Sequence, residues 1–277
     1  RVGGIFFISI FFILIIVNFF IEEQFFSIDQ INFLFLICIF MFFFIGLVDD
    51  FFSINNRFKF IILFLLVVLI VWYFDLGIYG LIDFENTQIN NSLIFIFSIL
   101  FLFILIVSFN LIDGMNGLFI LYSFLCIINY QFISYYFLNH IDPILLILNI
   151  TLLTCLLFNF PYAKVFMGDG ASYSIAFIIG YYAFYIHSQS ILMVNEWYYA
   201  CLLSYPIMEL FFSFSRRLIN KSSIFKPDKQ HLHTTLYQYL QDKFNLNLEI
   251  SNPLTTMIII LVLIIFNILT IYTLFSN

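Results

Sequence analysis

Residues 92–118 read SLIFIFSILFLFILIVSFNLIDGMNGL. The first 21 of them carry no charge. An α-helix needs about 20 mostly apolar residues to cross the hydrocarbon core of a bilayer, so this run is long enough to span one. It ends on an acid, Asp113, and a turn bearing two glycines. The pattern recurs along the chain: further apolar runs occupy 5–21, 31–48, 58–75, 118–138, 143–160, 172–187, 197–215 and 255–275, nine in all. The seventh, 172–187, is the shortest. The reading is an all-α, polytopic integral membrane protein with about nine transmembrane helices, and its longest polar connection spans about 216–254.

Composition agrees. Of the 277 residues, 64% are hydrophobic and 9% charged, with 42 Phe and a mean hydropathy of +1.09. A soluble domain runs at roughly 45–50% apolar and about 25% charged, so this chain lacks the charge to cover a water-facing surface. That excludes a soluble enzyme and a disordered protein. With 10 Lys+Arg against 16 Asp+Glu there is no basic face for nucleic acid. Continuous apolar runs also exclude a porin-type barrel, which alternates apolar and polar residues. Cys38, Cys126, Cys155 and Cys201 each lie in an apolar run, without C-x-x-C spacing, and read as small buried hydrophobes. The first residue is Arg1, with no basic n-region or cleavage site before the first run, so that run is not expected to be a signal peptide.

If the runs alternate direction, one set of connections holds every Lys and Arg: Arg1, Arg57, Lys59, Lys164, Arg216, Arg217, Lys221, Lys226, Lys229 and Lys243. The other holds Glu22, Glu23, Asp29, Asp75, Asp83, Glu85, Asp142 and Glu196, and no base. By the positive-inside rule the basic set is cytoplasmic. The same face carries the chemistry: LVDDFFSINNRFKF (47–60), SFNLIDGMNGL (108–118), NFPYAKVFMGDGAS (159–172) and RRLINKSSIFKPDKQHLHTTL (216–236).

Asp49 and Asp50 end the second run, Asp113 ends the fourth, and Asp169 is expected in the loop before the seventh. Carboxylates at membrane depth are costly and need a partner or a cation. Four on one face suit Mg2+, which takes a few carboxylates plus substrate phosphates. The bland alternative is that these acids mark helix ends and pair with Arg57 or Lys59. Asp113-Gly114-Met115-Asn116-Gly117 and Met167-Gly168-Asp169-Gly170 are glycine turns leading into helices, where backbone N–H groups can meet a phosphate. His231-Leu232-His233 reads as a metal-ligand pair, a phosphate-binding pair or two surface histidines; its basic loop favours anion binding. His140 and His187 fall on the other face and carry no expectation.

RVGG (1–4), Asp49-Asp50, FNLIDGMNGL (109–118), AKVFMGDGAS (163–172) and PDKQHLH (227–233), in this order, resemble the polyprenyl-phosphate N-acetylhexosamine-1-phosphate transferase superfamily, of the glycosyltransferase family 4 type. Its members include bacterial GlcNAc-1-phosphate transferases and the phospho-MurNAc-pentapeptide translocase. In that superfamily the RxGG motif follows a first helix, so a further helix is expected upstream of Arg1. PDKQHLH is closer to the GlcNAc-1-phosphate branch. Asn116 stands where many members have a second Asp, Thr234 where another His is common, and Glu209 where Asp is usual; Gly170-Ala171 departs from the usual x-Gly.

The resemblance implies one transmembrane transferase domain over 1–277 in a bacterial inner membrane, with a cytoplasmic active site. The implied reaction moves N-acetylhexosamine-1-phosphate from a UDP-sugar to undecaprenyl phosphate and releases UMP, as the first membrane step of a surface glycan. Asp169 and Asp113 are the implied ligands of Mg2+, or of Mn2+ in its place. Asp49 and Asp50 would position or deprotonate the lipid phosphate, and His231 and His233 would bind phosphate or orient the sugar nucleotide. Arg57, Lys59, Asn110, Gly114, Asn116, Lys164, Gly168, Arg216 and Arg217 complete the implied substrate contacts. The partners are the UDP-N-acetylhexosamine, undecaprenyl phosphate and membrane lipid, with no nucleic acid; a homodimer is compatible. The rival readings are the pentapeptide translocase and, in another class, a secondary transporter. Transporters place ionisable residues near the midplane of repeated halves, and neither feature is visible here.

Overall fold

The computed structural model describes residues 2–20, 33–77, 87–190, 194–221 and 230–275. Among these residues the regular structure is all helix: α1 (Gly3–Phe20), α2 (Phe33–Phe52), α3 (Asn56–Phe74), α4 (Thr87–Ile112), α5 (Leu118–Leu138), α6 (Pro143–Asn159), α7 (Gly168–Gln189), α8 (Glu196–Leu202), α9 (Ser204–Ile219), α10 (Leu232–Phe244) and α11 (Leu248–Phe275). Five of them are long and apolar enough to cross a membrane: α2, α3, α5, α4 over Asn91–Ile112 and α11 over Leu248–Tyr272. α1 and α6 are apolar but shorter. On α3, Leu63, Val67, Ile70 and Val71 are buried while Ile61, Leu65, Leu69 and Trp72 face outward. An outward face this apolar suits lipid and not water. The chain is a polytopic integral membrane protein.

α7 is the central helix. It packs against α1, α2, α4 and α5, and 18 of its 22 residues are buried. Ala171, Ala176, Gly180 and Ala183 keep it slim enough for close neighbours, the usual device of helix packing in membranes. Side-chain hydroxyls find partners inside it: Ser172 Oγ donates to the Asp169 carbonyl at 3.1 Å. Because α7 faces protein on all sides, it needs less hydrophobicity than a lipid-facing span. That explains why its run was the shortest in the sequence.

Three boundaries differ from the sequence expectation. Asp169 was expected in a loop but lies in the first turn of α7, which starts at Gly168. A carboxylate is favoured there by the helix dipole. The eighth run is two helices, α8 and α9, meeting at Leu203. Pro206 explains the break: it lacks the N–H that would reach the Leu202 carbonyl, and its ring would strike that carbonyl in a continuous helix. The Tyr122 hydroxyl donates to the Leu202 carbonyl instead, at 2.7 Å. The 216–254 connection is shorter than expected, because it contains α10 and because α11 begins at Leu248, not near 255.

The helix ends fall into two groups. At one end, Gly3 N–H donates to Phe166 O at 3.0 Å, Gly168 N–H to Asp113 at 2.9 Å, and Asn116 N–H to Asn252 at 2.9 Å. Lys59 donates to Asp169 at 3.3 Å and His233 lies against Gly114, so the four acid- and histidine-bearing segments meet at this end. At the other, Asp142 caps α6 by accepting from Ile144 N–H at 2.8 Å, and the Tyr182 hydroxyl near the far end of α7 donates to it at 3.1 Å.

Candidate active site

Three helices bring their charges to one point. Lys59 of α3 donates to Asp49 of α2 at 2.7 Å and to Asp169 of α7 at 3.3 Å. Lys59 and Asp169 are 8% and 7% exposed and Asp49 is half-buried, so the ammonium sits between two carboxylates in a largely buried triad. Asp49 is held further by Ile54 N–H, which donates to its other oxygen at 2.8 Å. The Tyr173 hydroxyl donates to the Asp169 oxygen that faces Lys59, at 3.3 Å, and the ammonium lies 5.8 Å from the Tyr173 ring centroid.

Glycine makes the approach of α2 and α7 possible. A Cβ at Gly46 would run into the Asp169 carbonyl and the Gly170 nitrogen. Asp50 sits beside the same junction and accepts from Gly170 N–H at 3.4 Å. At the start of α1, a Cβ on Gly3 would strike the Phe166 carbonyl. The RVGG glycines thus let α1 dock on the loop before α7; Arg1 lies outside the described residues.

The turn after α4 forms the next wall. Asp113 anchors Gly168, which has a positive φ of 75°. Asn110 Nδ2 donates to Ser172 Oγ at 3.0 Å. Asn116 braces the turn from behind: its Nδ2 donates to Pro161 O at 2.7 Å, and its carbonyl accepts from Thr256 at 2.8 Å. The structure places Asn116 as a strut between the turn, the 160s loop and α11.

His233 closes the arc. A Cβ placed on Gly114 would lie 3.0 Å from His233 Nε2. The His231 and His233 rings stack at 5.2 Å and 11°. Beneath them is Glu209 of α9, fully buried. It accepts from Leu232 N–H at 2.8 Å and His233 N–H at 3.1 Å, and pairs with His233 Nδ1 at 2.9 Å. Pro227, Asp228 and Lys229 of the histidine motif lie outside the described residues. Arg216 reaches Gln230, next to the histidines, and Arg217 is half-buried one residue on. Arg57 and Lys164 are exposed on flanking segments, outside the buried triad.

A family model described as glycosyl transferase family 4 matches residues 32–187, more than half of the chain. The chain belongs to this family. The matched segment contains the whole Asp49–Lys59–Asp169 triad and the Asp113 turn. Among curated relatives of this family 4 chain, an undecaprenyl-phosphate α-N-acetylglucosaminyl 1-phosphate transferase of Thermotoga maritima is 28% identical over 221 residues, 78% of this chain and 65% of the relative. A Bacillus subtilis protein named "Probable undecaprenyl-phosphate N-acetylglucosaminyl 1-phosphate transferase" is 31% identical over 142 residues, 48% of this chain and 37% of the relative. A phospho-N-acetylmuramoyl-pentapeptide-transferase of Thermotoga maritima is 25% identical over 249 residues, 83% of this chain and 77% of the relative. The match thus spans less than two thirds of the length of the first two relatives.

Several residues of the family 4 site were not named as candidates from the sequence. Glu209 left a signal, since it is the one acid in the 197–215 run, and an intramembrane acid is a functional candidate by default. Tyr173 and Gly46 left none, because each acts through a neighbour that only the fold supplies. As to a metal, the donors at hand are hard carboxylate oxygens, the chemistry Mg2+ selects. Among the described residues no three His, Cys, Asp or Glu groups form a closed cage.

Proposed function

We propose that this chain transfers an N-acetylhexosamine-1-phosphate from a UDP-sugar to undecaprenyl phosphate and releases UMP, at the cytoplasmic face of a bacterial inner membrane. The observation that carries this reading is the convergence of Asp49, Lys59 and Asp169 from three helices at one end of the bundle, within the segment that the family model matches. The names of the curated relatives support the same chemistry.

The physical problem is that two phosphate-bearing substrates repel each other. Mg2+, held by Asp169 and Asp113, would supply positive charge at the diphosphate as a Lewis acid. Lys59 supplies a fixed positive charge beside Asp49, where the lipid phosphate would lie. A phosphate monoester has a second pKa of about 6, so it is mostly dianionic near neutral pH. Asp49 and Asp50 therefore have little need to remove a proton, and their work is to hold Lys59 and Gly170 and so shape the site. His231 and His233 approach the turn from the other side and orient the nucleotide. The remaining catalysis is positioning, which in phosphoryl transfer supplies most of the rate. The lipid tail stays in hydrocarbon along the outward apolar faces of α2 and α3, next to Asp49.

The pentapeptide-transferase relative, which covers more of this chain than the other two, supports a second donor class. The test is UMP release by the purified protein in detergent, given undecaprenyl phosphate, Mg2+ and a panel of UDP-N-acetylhexosamines that includes UDP-MurNAc-pentapeptide. Release that needs both lipid and Mg2+ is the expected result, and the preferred donor names the sugar. No release with any donor, from a folded preparation, would overturn the reading.

A further inference from the structure

We propose that Glu209 is a positioning residue that fixes the working orientation of His233, so that His233 meets the sugar-nucleotide phosphate through Nε2. The inference rests on the transferase reading above and gives a role to Glu209, which the resemblance marks only as standing where Asp is usual.

Glu209 is fully buried in α9. Its Oε1 faces His233 Nδ1 at 2.9 Å, His233 N–H at 3.1 Å and the Tyr205 hydroxyl at 3.1 Å. Its Oε2 accepts from Leu232 N–H at 2.8 Å. A carboxylate only accepts, so Nδ1 carries a proton. Nε2 is then the one ring nitrogen left to face outward, and it is the atom that lies against Gly114. That turn is tied through Asp113 to Gly168, beside Asp169. His231, stacked on His233 and 4.0 Å from Glu209 Oε2, keeps the ring from swinging. The arrangement resembles the general device in which a buried carboxylate sets the tautomer and aim of a histidine that does chemistry at its other nitrogen. A phosphate oxygen accepts only, so facing it His233 is an imidazolium that takes a second proton, keeps Nδ1–H on Glu209 and donates from Nε2, with Glu209 balancing the charge.

Glu209 also holds the first N–H groups of α10, so the test must separate that support from the ring. Glu209→Gln preserves shape, but its amide nitrogen donates and cannot serve both sides. The expected result is a kcat for UMP release at least tenfold lower, with the KM for the UDP-sugar within threefold of wild type. Glu209→Asp, which keeps the carboxylate, should recover at least threefold over Glu209→Gln. In a His233→Ala background, Glu209→Gln should cost less than a further twofold, because the residue it acts through is gone. An equal loss with and without His233 would overturn the proposal, as would full activity of Glu209→Gln. A readout without turnover completes the test. The chain has four histidines, so two-bond 1H–15N spectra of 15N-histidine-labelled protein in micelles can report the tautomer, with His233 assigned by its loss in His233→Ala. In wild type Nδ1 should be protonated, as the Nδ1–H tautomer without substrate and as the imidazolium with phosphate bound, and this preference should be lost in Glu209→Gln. If wild type releases UMP but His233 is mainly the neutral Nε2–H tautomer, with Nδ1 bare, the proposal alone falls. If wild type releases no UMP at all, the transferase reading falls and takes the proposal with it.

Discussion

Lys59 stands between two carboxylates that come from different helices, and its removal leaves them facing each other. Lys59→Met keeps most of the side-chain volume and deletes the charge. Breaking a buried ion pair in this way costs about 3–5 kcal/mol. The expected outcome is a lower melting temperature in detergent together with loss of UMP release. Asp169→Asn behaves differently. The amide still fills the site and can face Tyr173 or Lys59, so folding and membrane insertion should persist while transfer is lost. Near-normal turnover by Asp169→Asn would sink its assignment as a metal ligand. Gly114→Ala probes the histidine side: the new methyl would sit 3.0 Å from His233 Nε2, and Gly114 is exposed with a negative φ. Stability should hardly change, whereas activity should fall because the ring must give by a few tenths of an ångström. At this scale the acids were legible in the sequence, since each is an expensive charge at the end of an apolar run. The Glu209–His233 pairing was not, because the partners lie 24 residues apart on separate helices.

Helices place these residues, and two joints control how. The first is the crossing of α2 and α7 at Gly46. Gly46→Leu would drive a side chain into the backbone of Asp169 and Gly170. Overpacking costs about 1–3 kcal/mol or more, and here it would also part Asp49 from Asp169. Thermal melts and UMP release should fall together; a wild-type melt would show that α2 and α7 do not meet as described. The second joint is Leu203. Tyr122→Phe removes the hydroxyl that serves the Leu202 carbonyl and leaves a buried acceptor unpaired, at a cost of about 1–3 kcal/mol. The run 197–215 looked like one span because hydropathy does not register a lost backbone donor. Pro206 was the available signal, and its meaning depended on which residue stood four places before it.

For the whole molecule, the prediction concerns sidedness. Single cysteines introduced at Glu196 and Lys243, in a background lacking the four native cysteines, should react from opposite sides of the membrane. A membrane-impermeant maleimide should label Glu196→Cys in intact cells and Lys243→Cys only after permeabilisation. Labelling of both from outside would overturn the positive-inside assignment. The chain's all-helical, membrane-spanning character was settled by its sequence, because continuous apolar runs leave lipid as the only solvent that suits them and helices as the way to pair their backbone groups. The alternation of basic and base-free connections likewise follows from chain order alone. What only the tertiary structure decided is which of the converging groups touch. Lys59 could have met either face of α2. Glu209 could have been a stray charge. Each choice is made by close packing around α7, where Gly46 and Gly3 admit backbones that any side chain would hold apart, and such contacts between distant segments leave no periodic trace in a single sequence.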